Sequence, residues 1–155
     1  MADISELEYP VLIFSKNRML EVAMDKDALT TATSREVKIR WLEGSTIIDS
    51  NCNMAAVKSV TTISSIGPFF GMTIFMERLV RVDLHLDEIK DAISLEEIKS
   101  RVSRTLAAAI GSVAGVDEWK QLMRDVSNAP DMKSIMALLQ PHYDRMNYYK
   151  RLRCM

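Results

Sequence analysis

The stretch Tyr9–Asp25, YPVLIFSKNRMLEVAMD, decides how the first half of the chain is read. Two apolar runs flank Ser15–Arg18, and Lys16-Asn17 suits a tight turn, so the segment is predicted to be a β-hairpin. Strand features continue outward from it. DKDALTTATS (25–34) is polar with a small-residue centre, which predicts a loop or a single helical turn. In REVKIRWLEGSTIID (35–49), Val37, Ile39 and Trp41 alternate with Lys38 and Arg40, as a half-buried strand requires. Glu43-Gly44 supplies the next turn, and Ile47-Ile48 begin the return strand. Asn51-Cys52-Asn53 marks a break. Val57–Ile66 (VKSVTTISSI) is rich in β-branched residues that fit a pleated surface. Gly67–Gly71 (GPFFG) then punctuates the chain, and Met72–Leu86 reads as one long strand, bent or bulged.

From residue 89 the apolar period becomes helical. Ser94-Leu95-Glu96-Glu97 has the form of a capping box, in which the serine hydroxyl accepts from the Glu97 amide and the glutamate reaches back. Ile98, Val102, Leu106, Ala109/Ile110 and Val113 follow at spacings of three and four. Trp119, Leu122, Met123 and Val126 predict a second helix over Asp117–Val126. Asn128 is placed to cap a third, with Pro130 in its first turn and Pro141 as its stop. The expected fold is therefore α+β: an N-terminal curled antiparallel sheet or small barrel of five or six strands, followed by a three-helix C-terminal part. The β-rich part covers 1–88 and the helical part, with its basic and aromatic tail, 89–155, the two forming one compact unit. Strands first and helices later argue against a parallel doubly wound sheet.

Bulk properties narrow the function. Hydrophobic residues make up 48% and charged residues 26% of 155, a globular balance. The net charge of −1 lacks the broad basic field that general nucleic-acid or membrane affinity needs. The charge is uneven: residues 83–131 hold ten acidic and six basic side chains, whereas from Met132 onward there are five basic and one acidic. The acidic opening Met-Ala-Asp-Ile-Ser-Glu-Leu-Glu has no basic-then-apolar order, and Cys52 and Cys154 are too few for a disulfide framework, so a cytoplasmic location is expected. Ile66–Met76 is the longest uncharged apolar stretch and falls far short of the ~20 residues of a spanning helix, so no membrane partner is expected.

Chemistry-bearing residues are sparse. In Arg81–Glu88, RVDLHLDE, a strand would place Asp83, His85 and Asp87 on one face and Val82, Leu84 and Leu86 on the other. Same-face neighbours stand roughly 6.5–7 Å apart, so three successive positions cannot close around one ion. The row reads as a solvated face, with a metal-dependent enzyme using Asp83, His85 and His142 as a distant alternative. Cys52 lacks a sequence-near base. No Gly-rich phosphate cradle, nucleophile elbow or zinc-protease motif is present, so no catalytic residue, metal ligand or cofactor is assigned.

The compositional anomaly is the tail, HYDRMNYYKRLRCM (142–155), where tyrosines are interleaved with arginine and lysine. Tyrosine and arginine carry a disproportionate share of interface energy. The candidate partner-binding residues are Tyr143, Arg145, Tyr148, Tyr149, Lys150, Arg151 and Arg153. Docking of the tail on the chain's own acidic helices, near Glu96, Glu97, Asp117 and Glu118, is the competing structural reading. The functional expectation is a non-enzymatic cytoplasmic protein-interaction module, with self-association as one form. Weak RNA or single-stranded DNA binding through the tail and Lys38, Arg40 and Lys58 is the first alternative.

Overall fold

A computed structural model describes residues 2–16, 19–66, 78–90, 92–109, 115–147 and 149. The fold is α+β, with a curled antiparallel sheet of six strands in the order β2-β1-β4-β5-β6-β3 and three long helices in the C-terminal part. The predicted hairpin forms: β1 (Val11–Phe14) pairs with β2 (Leu20–Ala23), Leu12 opposite Val22. The other hydrogen-bonded neighbour of β1 is β4 (Thr46–Ile48), with Leu12 opposite Ile48. β5 (Met54–Ser65) joins β4 at one end and runs along β6 (Leu79–Leu86), its ladder interrupted by two irregularities. The Gly67–Gly71 turn and the Met72–Glu77 part of the expected long strand lie outside the described residues.

Both faces of the β1–β2–β4 region are covered. Val11, Ile13 and Ile47 belong to one buried cluster, with Ile4, Leu7 and Leu29, while Leu12, Val22 and Ile48 belong to another built on the C-terminal helices. Alternate residues of one strand thus enter different cores, which is why the run VLIF carries no polar position. On β6 the alternation is clean. Val80, Val82, Leu84 and Leu86 are buried, and Arg81, Asp83 and His85 are half-buried on the other side.

Two segments of the first half depart from the reading of the sequence. Residues 35–41 were expected as a strand, yet Ser34–Lys38 form a helix, α2. Thr33 caps it: its hydroxyl accepts from the Glu36 amide at 3.1 Å, and the Glu36 carboxylate accepts from the Thr33 amide at 2.7 Å. The polar segment before it supplies the expected single turn, α1 (Lys26–Leu29), but also a strand, β3 (Thr31–Thr33), which pairs with β6.

The helices α3 (Leu95–Ala108), α4 (Val116–Asn128) and α5 (Met132–Tyr143) follow the apolar spacing, while Ile110 and Val113 of the expected first stripe lie outside the described residues. Ser94 caps α3 as read, accepting from Glu97 at 3.2 Å, while the Glu97 side chain turns to Arg101 instead of reaching back. Asn128 is the last residue of α4, and Asp131 caps α5. Pro141 does not stop α5. It sits inside the last turn, where burial of Leu139 and packing of Tyr143 on the helical core hold the helix through the missing amide donor. Trp119, fully buried, ties α4 to α3 by donating its indole N–H to the Leu106 carbonyl at 2.7 Å. Among the described residues no helix is long and apolar enough to cross a membrane.

The Trp119 contact gives a direct test of the helical core. Trp119→Phe leaves a small void and takes the indole donor away from the Leu106 carbonyl, which keeps only the Ala109 amide at 3.1 Å, so chemical denaturation is expected to show a loss of about 2 kcal/mol. A loss below ~0.5 kcal/mol would mean that α3 and α4 are not joined in this way.

Candidate functional site

The site is set by what happens after α5. Asp144 ends the helix in extended backbone and makes an isolated bridge to Val22 on the outer edge of β2. Its carboxylate then accepts from the Met146 and Asn147 amides and turns the chain inward. Arg145 follows, and its side chain is completely buried.

The buried guanidinium draws together three segments that are remote in sequence. It donates to Glu21 on β2 at 2.7 Å and to the Thr31 carbonyl on β3 at 3.0 Å, and it lies 3.6 Å from Glu36 of α2. Its carbon also stands 5.2 Å from the centre of the Tyr149 ring. Tyr149 is itself buried and donates its hydroxyl to Glu36 at 2.7 Å. Burial alone would disfavour the charged guanidinium, but Glu21, Tyr149 and Glu36 outweigh it and raise the Arg145 pKa. Burial likewise pushes the Tyr149 hydroxyl well above its ordinary value.

A cavity of about 460 Å³ opens beside this cluster. β2 contributes Leu20 and Glu21, the α2 segment contributes Glu36, Ile39 and Trp41, and the end of α5 contributes His142, Tyr143 and Arg145. Its size falls in the range of binding pockets. Met19 and Ile39, 49% and 52% exposed, form apolar parts of its lining that water reaches. Three buried side-chain atoms lack a hydrogen-bond partner among the described residues: Trp41 Nε1, Tyr143 Oη and Arg145 Nε. All three residues line this cavity.

The tail residues singled out by composition are therefore divided. Arg145 and Tyr149 are interior, Tyr143 is half-buried against His142 and Trp119, and Tyr148, Lys150, Arg151 and Arg153 lie outside the described residues. Docking on the chain's own carboxylates does occur, but the carboxylates are Glu21 and Glu36. Glu96 and Glu97 instead pair within α3, with Lys99 and Arg101. Composition missed Glu21, Glu36, Ile39 and Trp41 as site residues. The available signals were a lone carboxylate inside the apolar run MLEVAM and the Thr33-Ser34-Arg35-Glu36 capping pattern.

On β6, His85 Nε2 lies 4.0 Å from Asp83 and 3.3 Å from the Thr61 hydroxyl. His142 is on α5 beside β2, four strands away in the sheet order. Among the described residues no three His, Cys, Asp or Glu side chains gather as a metal site. Cys52, in a left-handed backbone conformation (φ 66°), has its thiol pKa raised by burial and then by Asp49, the opposite of an activated nucleophile. Lys58 pairs with Asp87 across the β5–β6 ladder, and Lys38 and Arg40 belong to α2 and its exit instead of a strand. Comparison with known proteins finds no family model, no curated protein and no solved structure that matches this chain.

Two variants test the cluster. Arg145→Met leaves Glu21 and Glu36 facing each other without their cation, and a loss of about 3–5 kcal/mol in denaturant unfolding is expected. A near-neutral result would show that the guanidinium does not join the three segments. Tyr143→Phe removes a buried hydroxyl that has no partner among the described residues, so stability at pH 7 is expected to rise by about 1 kcal/mol. Burial also lifts the Tyr143 hydroxyl from 10.0 to about 12. The folded state thus prefers the neutral phenol, and that preference is full below pH 10 and lost as pH rises toward 12. The unfolding midpoint of Tyr143→Phe should therefore fall less steeply than wild type between pH 10 and 12; parallel curves would contradict the burial.

Proposed function

We propose that this protein is a non-enzymatic interaction module, and that it engages a protein partner through the groove formed by β2, the α2 segment and the end of α5. The observation that carries the reading is the pairing of an open cavity with solvent-reached apolar side chains, Met19 and Ile39, in its lining. An apolar centre framed by polar groups is the composition of a recognition surface. The nearby charges favour binding over catalysis. Glu21, Glu36 and Arg145 are engaged with one another, so the most buried ionic groups of the site act as framework. The tail supports the reading in a different way from the one composition suggests: Arg145 and Tyr149 shape the groove from inside.

A photo-crosslinking amino acid placed at Ile39 tests this. Compared with the same residue at Ile63, which is 63% exposed on β5, the Ile39 probe is expected to give a distinct protein adduct in cell extract, suppressed by excess unlabelled protein. Identical adduct patterns from the two positions would remove the groove as the interaction site.

A further inference from the structure

The charges lining the groove say what kind of segment it accepts, an inference that rests on the reading of the groove as a partner site. Three carboxylates line it, Glu21, Glu36 and Asp144, against two guanidiniums, Arg35 and Arg145, with the His142 imidazole beside them. Among the described lining residues one carboxylate is in excess. The unused capacity can be assigned to an atom. Glu21 gives Oε2 to Arg145, whereas no described residue donates to its Oε1, and the Glu21 side chain is 21% exposed. Glu36, by contrast, uses Oε2 for Tyr149 and the Thr33 amide and turns Oε1 toward Arg145.

The remaining walls suit a cation carried on an apolar stem. Trp41 and Tyr143 offer aromatic rings, which attract ammonium and guanidinium groups and do so more strongly where water is excluded. Ile39 and Met19 give the lining exposed apolar surface on which the aliphatic part of such a side chain can pack. Trp41 Nε1, Tyr143 Oη and Arg145 Nε are buried behind this wall with no hydrogen-bond partner among the described residues, so the exposed recognition chemistry of the groove is its carboxylate, its rings and its apolar side chains. A peptide with a basic residue between apolar ones brings both complements at once, a cation for Glu21 and aliphatic surface for Ile39 and Met19. An anion would meet the excess carboxylate, and a purely apolar segment would leave it unpaired.

We infer that the groove binds a partner segment presenting an arginine or lysine side chain between apolar residues, with the cation seated against Glu21. The probes are three blocked pentapeptides, acetyl-Ala-Leu-Xaa-Leu-Ala-amide with Xaa arginine, glutamine or glutamate, titrated into the nitrogen-15-labelled full chain. The two indole N–H resonances separate site from core, because Trp41 lines the cavity and Trp119 is bonded to Leu106 inside the helical layer. The arginine peptide is expected to move the Trp41 signal alone and to bind at least about tenfold more tightly than the glutamine peptide, with the glutamate peptide weakest. That ordering should collapse as salt is raised.

Replacing Glu21 would unseat Arg145, so charge is varied at Ile39, which is half-exposed and outside the ion cluster. Ile39→Asp is expected to tighten the arginine peptide about threefold or more and Ile39→Lys to weaken it by a similar factor. Equal weakening by both variants, or equal binding of the three peptides, would overturn the cation assignment and leave an apolar interaction groove. Failure of all three peptides to move Trp41 at millimolar concentration would also overturn it. The proposed function then stands or falls on the Ile39 crosslink alone.

Discussion

Over its first three residues the first strand has no side in contact with water. Val11, Leu12 and Ile13 are all fully buried, and successive side chains of a strand point in opposite directions. A strand of this kind obliges the rest of the chain to provide two covers, one for each face, each worth about 1.5–3 kcal/mol per large apolar side chain removed from water. The first cover comes from the N-terminal turn, α1 and the concave side of the curled sheet. The second comes from α3, α4 and α5. Neither cover could be dispensed with while the VLIF run kept its composition. The two halves of the sequence, strands first and helices later, are therefore two sides of one strand's burial.

That arrangement also fixes where a site can lie. With β1 central and doubly covered, its hairpin partner β2 becomes an outer edge, and exposed edges invite pairing with other chains. The end of α5 deals with this edge through the Asp144–Val22 bridge, and the next residue carries a guanidinium into the interior. The groove lies where the helix, having covered the edge, departs from it. Its walls are the edge strand, the departing helix and α2, which reaches across from the other cover.

Much of this was legible in the residues. The hairpin, the strict alternation of β6 and the three amphipathic helices each rest on a period sustained over many positions. The misread segment shows where periodicity loses its power. Val37 and Trp41 are four apart, a separation that places two residues on one face of a helix as well as one face of a strand. Only Ile39 distinguishes the two, and it is half-exposed, off the face that packs. The reciprocal cap between Thr33 and Glu36 decides the matter locally. β3 was hidden for another reason: three residues, Thr-Ala-Thr, all buried, carry no alternation to read. The ion cluster was the least legible part. Arg145 is separated from Glu21 by 124 residues and Tyr149 from Glu36 by 113, so no local pattern could join them.

A buried guanidinium is a poor means of gaining stability, because removing it and its carboxylates from water offsets most of their attraction. Geometry is what such a cluster supplies more reliably. Arg145 bonds to β2 and β3 and faces α2, and Tyr149 adds a second tie to Glu36, so three segments from both covers are held at hydrogen-bond distances. Apolar walls around a space of some 460 Å³ would tend to relax into it, since lost packing contacts are costly. Directional ionic bonds resist that collapse: each has a fixed length, and shortening the gap would break one buried pair to improve a dispersion contact. The cavity and the ion cluster beside it are therefore coupled features, the second being the physical reason that the first can persist.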